Sequence, residues 1–132
     1  MAKIALLIGV SEYAPGLNPV PAAVKDAEAM RRVLVNPEKG GFAEADVTVL
    51  KNPQRQEMED AIYRLFANRQ KDDLLLFYFS GHGVKDESGK LYLSTVTTRK
   101  ENGKLVKPSA VAASFLHESM NENSAGFRRP AV

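Results

Sequence analysis

Cysteine is absent from the 132 residues, which excludes disulfides, thiolate zinc sites and a thiol nucleophile supplied by this chain. Tryptophan is absent too, and the only histidines are His82 and His117, so imidazole chemistry has two places to sit. An excess of one charge is also missing: 18 Lys and Arg against 16 Asp and Glu leave +2. That is too weak and too evenly scattered for a nucleic-acid or anionic-membrane footprint, and neither partner is expected. The longest apolar run, Ile4 to Val10, has seven residues where a bilayer-spanning helix needs about 20. Lys3 precedes it, but no small-residue cleavage pattern follows, so the expected location is cytoplasmic.

What remains, 44% apolar and 26% charged residues, is the composition of one soluble globular domain with room for a core of three packed layers. Ile4 to Val10 and Leu74 to Phe79 are continuous apolar runs rather than alternating ones, the pattern of strands covered on both faces. Val47 to Leu50 is a shorter β-branched strand. Between the first two strands, Ala23, Ala27, Met30 and Leu34 form an inward helical stripe opened by Pro21 and closed by Asn36-Pro37. Asn52-Pro53 reads as the N-cap and first position of a second helix carrying Met58, Ile62, Leu65 and Phe66. Lys90 to Ser94 alternates like an exposed or hairpin strand, and Thr97 to Lys107 is a polar, basic loop. Ser109 is suited to cap a third helix, reaching Asn121, with Ala112, Phe115, Leu116 and Met120 inward. Residues 122–132 lack either period and read as an irregular tail.

Strands and helices in that alternation predict an α/β fold: a doubly wound, mostly parallel sheet in a three-layer αβα sandwich. Ligands then gather beyond the carboxyl ends of the strands. Two such ends stand out, Ser11-Glu12-Tyr13 and Ser80-Gly81-His82-Gly83. By position alone His82 is either a cleft imidazole or a solvent-facing turn residue. His117 sits in the third helix beside Glu118 and receives no role. No P-loop or G-x-G-x-x-G is present, no metal-ligand spacing occurs, and no cofactor is expected.

Three blocks carry a family resemblance: Ile4 to Tyr13, Ala22 to Ala27 and Asp73 to Gly83. In content, order and spacing they resemble the caspase-like cysteine peptidases, in particular bacterial members of the metacaspase type, over about Ala2 to Asn121. The resemblance implies a caspase-like domain over 1–121, the large-subunit-like part of the fold, incomplete at its C-terminal side and followed by the tail. It implies that His82 matches the catalytic histidine, which assists a cysteine thiolate and protonates the leaving amine. It implies that the Gly83 N–H matches the oxyanion donor. Asp26 matches an acidic residue that lines the pocket for a basic P1 side chain; the alternative is a solvated helix acid. Ser11 and Ser80 lie near the same cleft as candidate substrate-side hydroxyls, or as loop hydroxyls bonded to backbone. From Ser11 to Val24 there is no arginine, so cleavage after aspartate, which caspases achieve with an arginine near this loop, is not expected.

In this family the nucleophilic cysteine follows a fourth buried strand, and caspases place the histidine about 50 residues upstream of it. The chain extends 132 − 82 = 50 residues past His82 without that strand or a cysteine. Ser124 is the nearest substitute by position, but no strand precedes it to aim it at His82. The expectation is a catalytically silent peptidase domain, with a non-enzymatic interaction module on the same fold as the alternative. A missing fourth strand would leave an unpaired sheet edge and a partly covered stripe at Phe115, Leu116 and Met120. The expectation is therefore self-association or docking to a full-length homologue, by edge pairing or by exchange of the third helix, or else that the chain is the amino-terminal piece of a longer protein. Peptides with a basic P1 residue are the expected substrates of a completed site.

Overall fold

The computed structural model describes residues 1–122; the tail and Ser124 lie outside the described residues. Three strands, β1 (Lys3–Gly9), β2 (Val47–Lys51) and β3 (Leu74–Ser80), form a parallel sheet in the order β2-β1-β3. Helices α1 (Ala23–Val35) and α2 (Arg55–Phe66) make the crossovers. The chain steps from β1 to β2 in one direction and returns past β1 to β3. Two right-handed crossovers that run in opposite directions place their helices on opposite faces. Successive side chains of β1 therefore enter different cores. Ala5 and Leu7 pack with Ala27, Leu34 and Phe42 on the α1 side, and Leu6 and Ile8 pack with Met58, Ile62 and Leu65 on the α2 side.

A second layer of structure follows β3. Strands β4 (Gly83–Lys85), β5 (Leu91–Leu93) and β8 (Val111–Ala112) form a small antiparallel sheet, and β6 (Lys100–Glu101) pairs with β7 (Lys104–Leu105) in a hairpin within the basic loop. Helix α3 (Ala113–Glu122) then joins the α2 face.

Three expectations need correction. Ser109 does not cap α3, because it lies in a short 3-10 turn two residues before β8. Its hydroxyl donates to the Val106 carbonyl at 2.6 Å and accepts the Arg99 N–H at 3.2 Å, while its own carbonyl takes the hydroxyls of Thr95 and Thr98 at 2.7 and 2.6 Å. It is thus a buried lock at the base of the β6–β7 hairpin. The stripe of α3 is covered after all at Leu116 and Met120, which are buried against the α2 core, while Phe115 is partly buried. Finally, β3 is not fully covered on both faces: Leu75, Phe77 and Phe79 are buried toward α2, but Leu74, Leu76 and Tyr78 toward α1 are only half-buried. Within the described residues β3 pairs with β1 alone.

Two close approaches fix the frame. A Cβ at Gly9 would sit 2.6 Å from the Ala23 carbonyl, so only glycine lets the start of α1 rest on the end of β1. At the opposite end the buried carboxylate of Asp73 accepts the N–H groups of Ala2 at 3.0 Å and Gln70 at 2.8 Å, and Leu74 N–H bonds to the Ala2 carbonyl at 2.8 Å. Those hydrogen bonds, Ala2 first, hold its pKa below the ordinary 3.8. A depressed folded-state pKa contributes stability that is present above the unfolded value and is lost as pH falls through the folded one. We therefore expect unfolding free energy to drop as pH falls below about 4, and to drop less steeply in Asp73→Asn, whose stability at neutral pH is already lower. Urea denaturation across pH 2–7 checks this.

Candidate active site

Register decides what lies beside what. Gly9 pairs with Ser80, so β1 and β3 end at the same level, and Val10 N–H extends the ladder to the Ser80 carbonyl at 2.9 Å. The loop leaving β1 and the turn leaving β3 consequently emerge side by side at the point where the two crossovers diverge, the place where doubly wound sheets open a crevice.

The loop from Ser11 to Val20 closes on itself through the Val20 N–H and the Ser11 carbonyl, at 3.0 Å. Its mouth is pinned from outside by Asn52, whose Oδ1 accepts the N–H groups of Ser11 and Glu12 at 2.8 and 3.1 Å while its Nδ2 donates to Glu12 Oε2 at 3.0 Å. Asn52 was expected to cap α2. Instead it stands at φ 49°, in the left-handed region that asparagine tolerates, and α2 begins only at Arg55 with no side-chain cap. The same residue types serve caps and left-handed turns, so the sequence could not separate the two.

His82 is half-buried at the exit of β3. Its Nε2 lies 2.7 Å from the Asn18 carbonyl oxygen. A carbonyl can only accept, so Nε2 carries the proton, and in the neutral ring Nδ1 is the basic nitrogen. The ring tilts at 55° against that of Tyr13, with centroids 4.8 Å apart. Ser94, at the end of β5, donates its N–H to the His82 carbonyl at 3.1 Å. That single bond extends the antiparallel ladder one step past Gly83 and Leu93, which makes Gly83–Leu93 a pair of the non-bonded kind, while the His82 N–H leaves the ladder for the Tyr13 hydroxyl. The N–H of exposed Gly83 thus points outward from the edge of the small sheet.

The remaining sequence candidates gather at the start of α1. Ser11 Oγ accepts the Val24 N–H at 3.0 Å, which commits that hydroxyl to the helix N-terminus. Asp26 is exposed in the first turn of α1, where the helix dipole favours a carboxylate, and Ser80 Oγ donates to it across 3.4 Å. The fold therefore brings Asp26 to Ser80, two residues before His82. His117 is exposed on α3. A cleft of about 230 Å³ lined by Asp46, Thr48, Arg64 and Arg69 lies by the opening half of β1, away from these groups.

The Caspase domain family profile matches residues 2–123. This chain belongs to the caspase family. Curated relatives within it are metacaspases: the chain is 32% identical over 95 residues to Metacaspase-1 of Schizosaccharomyces pombe, covering 64% of this chain and 22% of the relative. It is 32% identical over 96 residues to Metacaspase-8 of Arabidopsis thaliana, covering 67% and 24% respectively. Among solved structures, protein GSU0716 from Geobacter sulfurreducens superposes with a TM-score of 0.73 at 24% identity over 97% of this chain and 48% of that one, a likeness of fold. The caspase domain here thus spans about a fifth to a quarter of the metacaspases it matches, is of metacaspase type, and contains no cysteine. Among its described residues no helix is long and apolar enough to cross a membrane.

Asn18, Asn52 and Ser94, which hold His82 or the loop beside it, carry no signal in the sequence that marks them as neighbours of this candidate site. Asn52→Ala removes three hydrogen bonds and places alanine in a left-handed conformation, and should cost about 1–3 kcal/mol. Asn52→Gly loses the same bonds without that strain and should cost less. Urea melts rank the two, and chymotrypsin should cleave at Tyr13 or Leu17 faster in both than in the parent.

Proposed function

We propose that this chain is the histidine-bearing part of a peptide-bond-hydrolysing site that recognises peptides with a basic P1 residue and does not cleave them by itself. The observation that carries the reading is the bond from His82 Nε2 to the Asn18 carbonyl, which leaves Nδ1 to take a proton from a thiol and later give it to the leaving amine. The outward N–H of Gly83 is suited to the oxyanion that forms when sulfur adds to the carbonyl carbon. Asp26 supplies the negative charge that favours Arg or Lys, with Ser80 beside it. These 132 residues hold no cysteine, so the covalent step requires a thiol that they do not supply.

Hydrolysis of Arg- and Lys-P1 fluorogenic peptides should stay at background. Turnover that disappears in His82→Ala would overturn the claim of silence. An uncleaved Arg-P1 peptide should perturb the amide resonances of Asp26, Ser80 and Gly83 in an NMR titration, and Asp26→Ala should weaken that binding several-fold. Equal binding of Arg-, Asp- and Ala-P1 peptides would sink the specificity.

A second reading, an interaction module on the same fold, is favoured by the edge of β3. Its outer edge has no partner among the described residues, and Leu74, Leu76 and Tyr78 beside it are half-buried. Such an edge is a template for an added strand. The proposed partner is a second copy or a full-length homologue pairing along β3. Exchange of α3 would place Leu116 and Met120 in the same core of a second copy. Sedimentation should show self-association that rises with concentration and is lost in Leu76→Lys; a monomer throughout would count against pairing between copies.

A further inference from the structure

We propose that Tyr13 is the positioning residue of His82, setting the imidazole through its hydroxyl and not merely by filling space. The proposal rests on the reading of His82 as the site's base. Tyr13 lies 69 positions before His82, yet its Oη accepts the His82 N–H at 2.9 Å. The same oxygen shares a 2.7 Å hydrogen bond with Ser94 Oγ, a side chain with no solvent exposure. Ser94 in turn holds the His82 carbonyl through its N–H. One hydroxyl and one serine therefore take both backbone polar groups of His82, while the Tyr13 ring bears on the imidazole and Asn18, five residues further along the same loop, takes Nε2.

The chain keeps a glycine where this contact needs one. A Cβ at Gly81 would lie 2.7 Å from Tyr13 Oη and 3.1 Å from the Phe79 ring, so any larger residue pushes the hydroxyl off the His82 N–H. The bland account is that Tyr13 is packing, since its ring does lie against the α2-side core. Phenylalanine would satisfy that account equally. It cannot accept a hydrogen bond, however, and it would strand both the His82 N–H and Ser94 Oγ.

The experiment is NMR on the whole chain without ligand. It reads amide exchange at His82 and the imidazole tautomer from long-range proton–nitrogen correlations. In the parent a single Nε2–H form is expected. Tyr13→Phe should speed His82 amide exchange about tenfold and bring in the Nδ1–H form, with little change in the rest of the spectrum. Gly81→Ala, which crowds the same oxygen from the other side, should give the same signature. A parent-like imidazole and amide in either folded variant would overturn the proposal, as would a loss of global stability in Tyr13→Phe with the tautomer unmoved; Gly81→Ala is destabilised by its own backbone at φ 157°, so only its imidazole and amide are read. These readouts need no peptide, so a failure of basic-P1 recognition would leave them standing, and their own failure would leave that recognition untouched.

Discussion

Seven consecutive pairs between β1 and β3, from Lys3 with Leu74 to Gly9 with Ser80, are the constraint on which the site depends. Because the strands are parallel and finish together, the segments that follow them start as neighbours, although about 70 residues separate them along the chain. Asp73 sets this alignment from below through the start of β1, and Gly9 keeps it tight from above by admitting the first turn of α1. A slip of one residue would exchange the two faces of β3. It would also move Ser80 away from Asp26 and the His82 turn away from Tyr13.

The elements that bury large apolar surface were legible in the sequence. Continuous hydrophobic runs gave β1 and β3, and the spacing of Met58, Ile62, Leu65 and Phe66 gave α2, with all four buried. Periodicity reports burial, and here burial and fold coincide. It misled where one composition serves two geometries. Asn52-Pro53 has the look of a helix start, but the carboxamide is spent on the loop after β1. Ser109 has the look of a cap, but it closes a hairpin too short to leave a pattern of its own.

The site was half visible for the same reason. The candidate residue His82 is conspicuous in the sequence because it stands between Gly81 and Gly83 at the end of an apolar run. Its supports are not, since a tyrosine hydroxyl meeting a backbone amide across the sheet has no local signature. The apolar character of β3 was read as cover on both sides, while only the α2 side is closed. The half-open face marks the direction in which this part of the fold stops covering itself.

The bond from His82 Nε2 to the Asn18 carbonyl has a consequence for the cost of moving a proton. That donor is the same whether the ring is neutral or cationic, because arrival or departure of a proton at Nδ1 leaves Nε2–H in place. The loop need not rearrange, no tautomer must be exchanged, and the carbonyl dipole already faces the ring when positive charge develops on it. Solvent would have to reorient to do as much; here the polypeptide has settled that expense during folding.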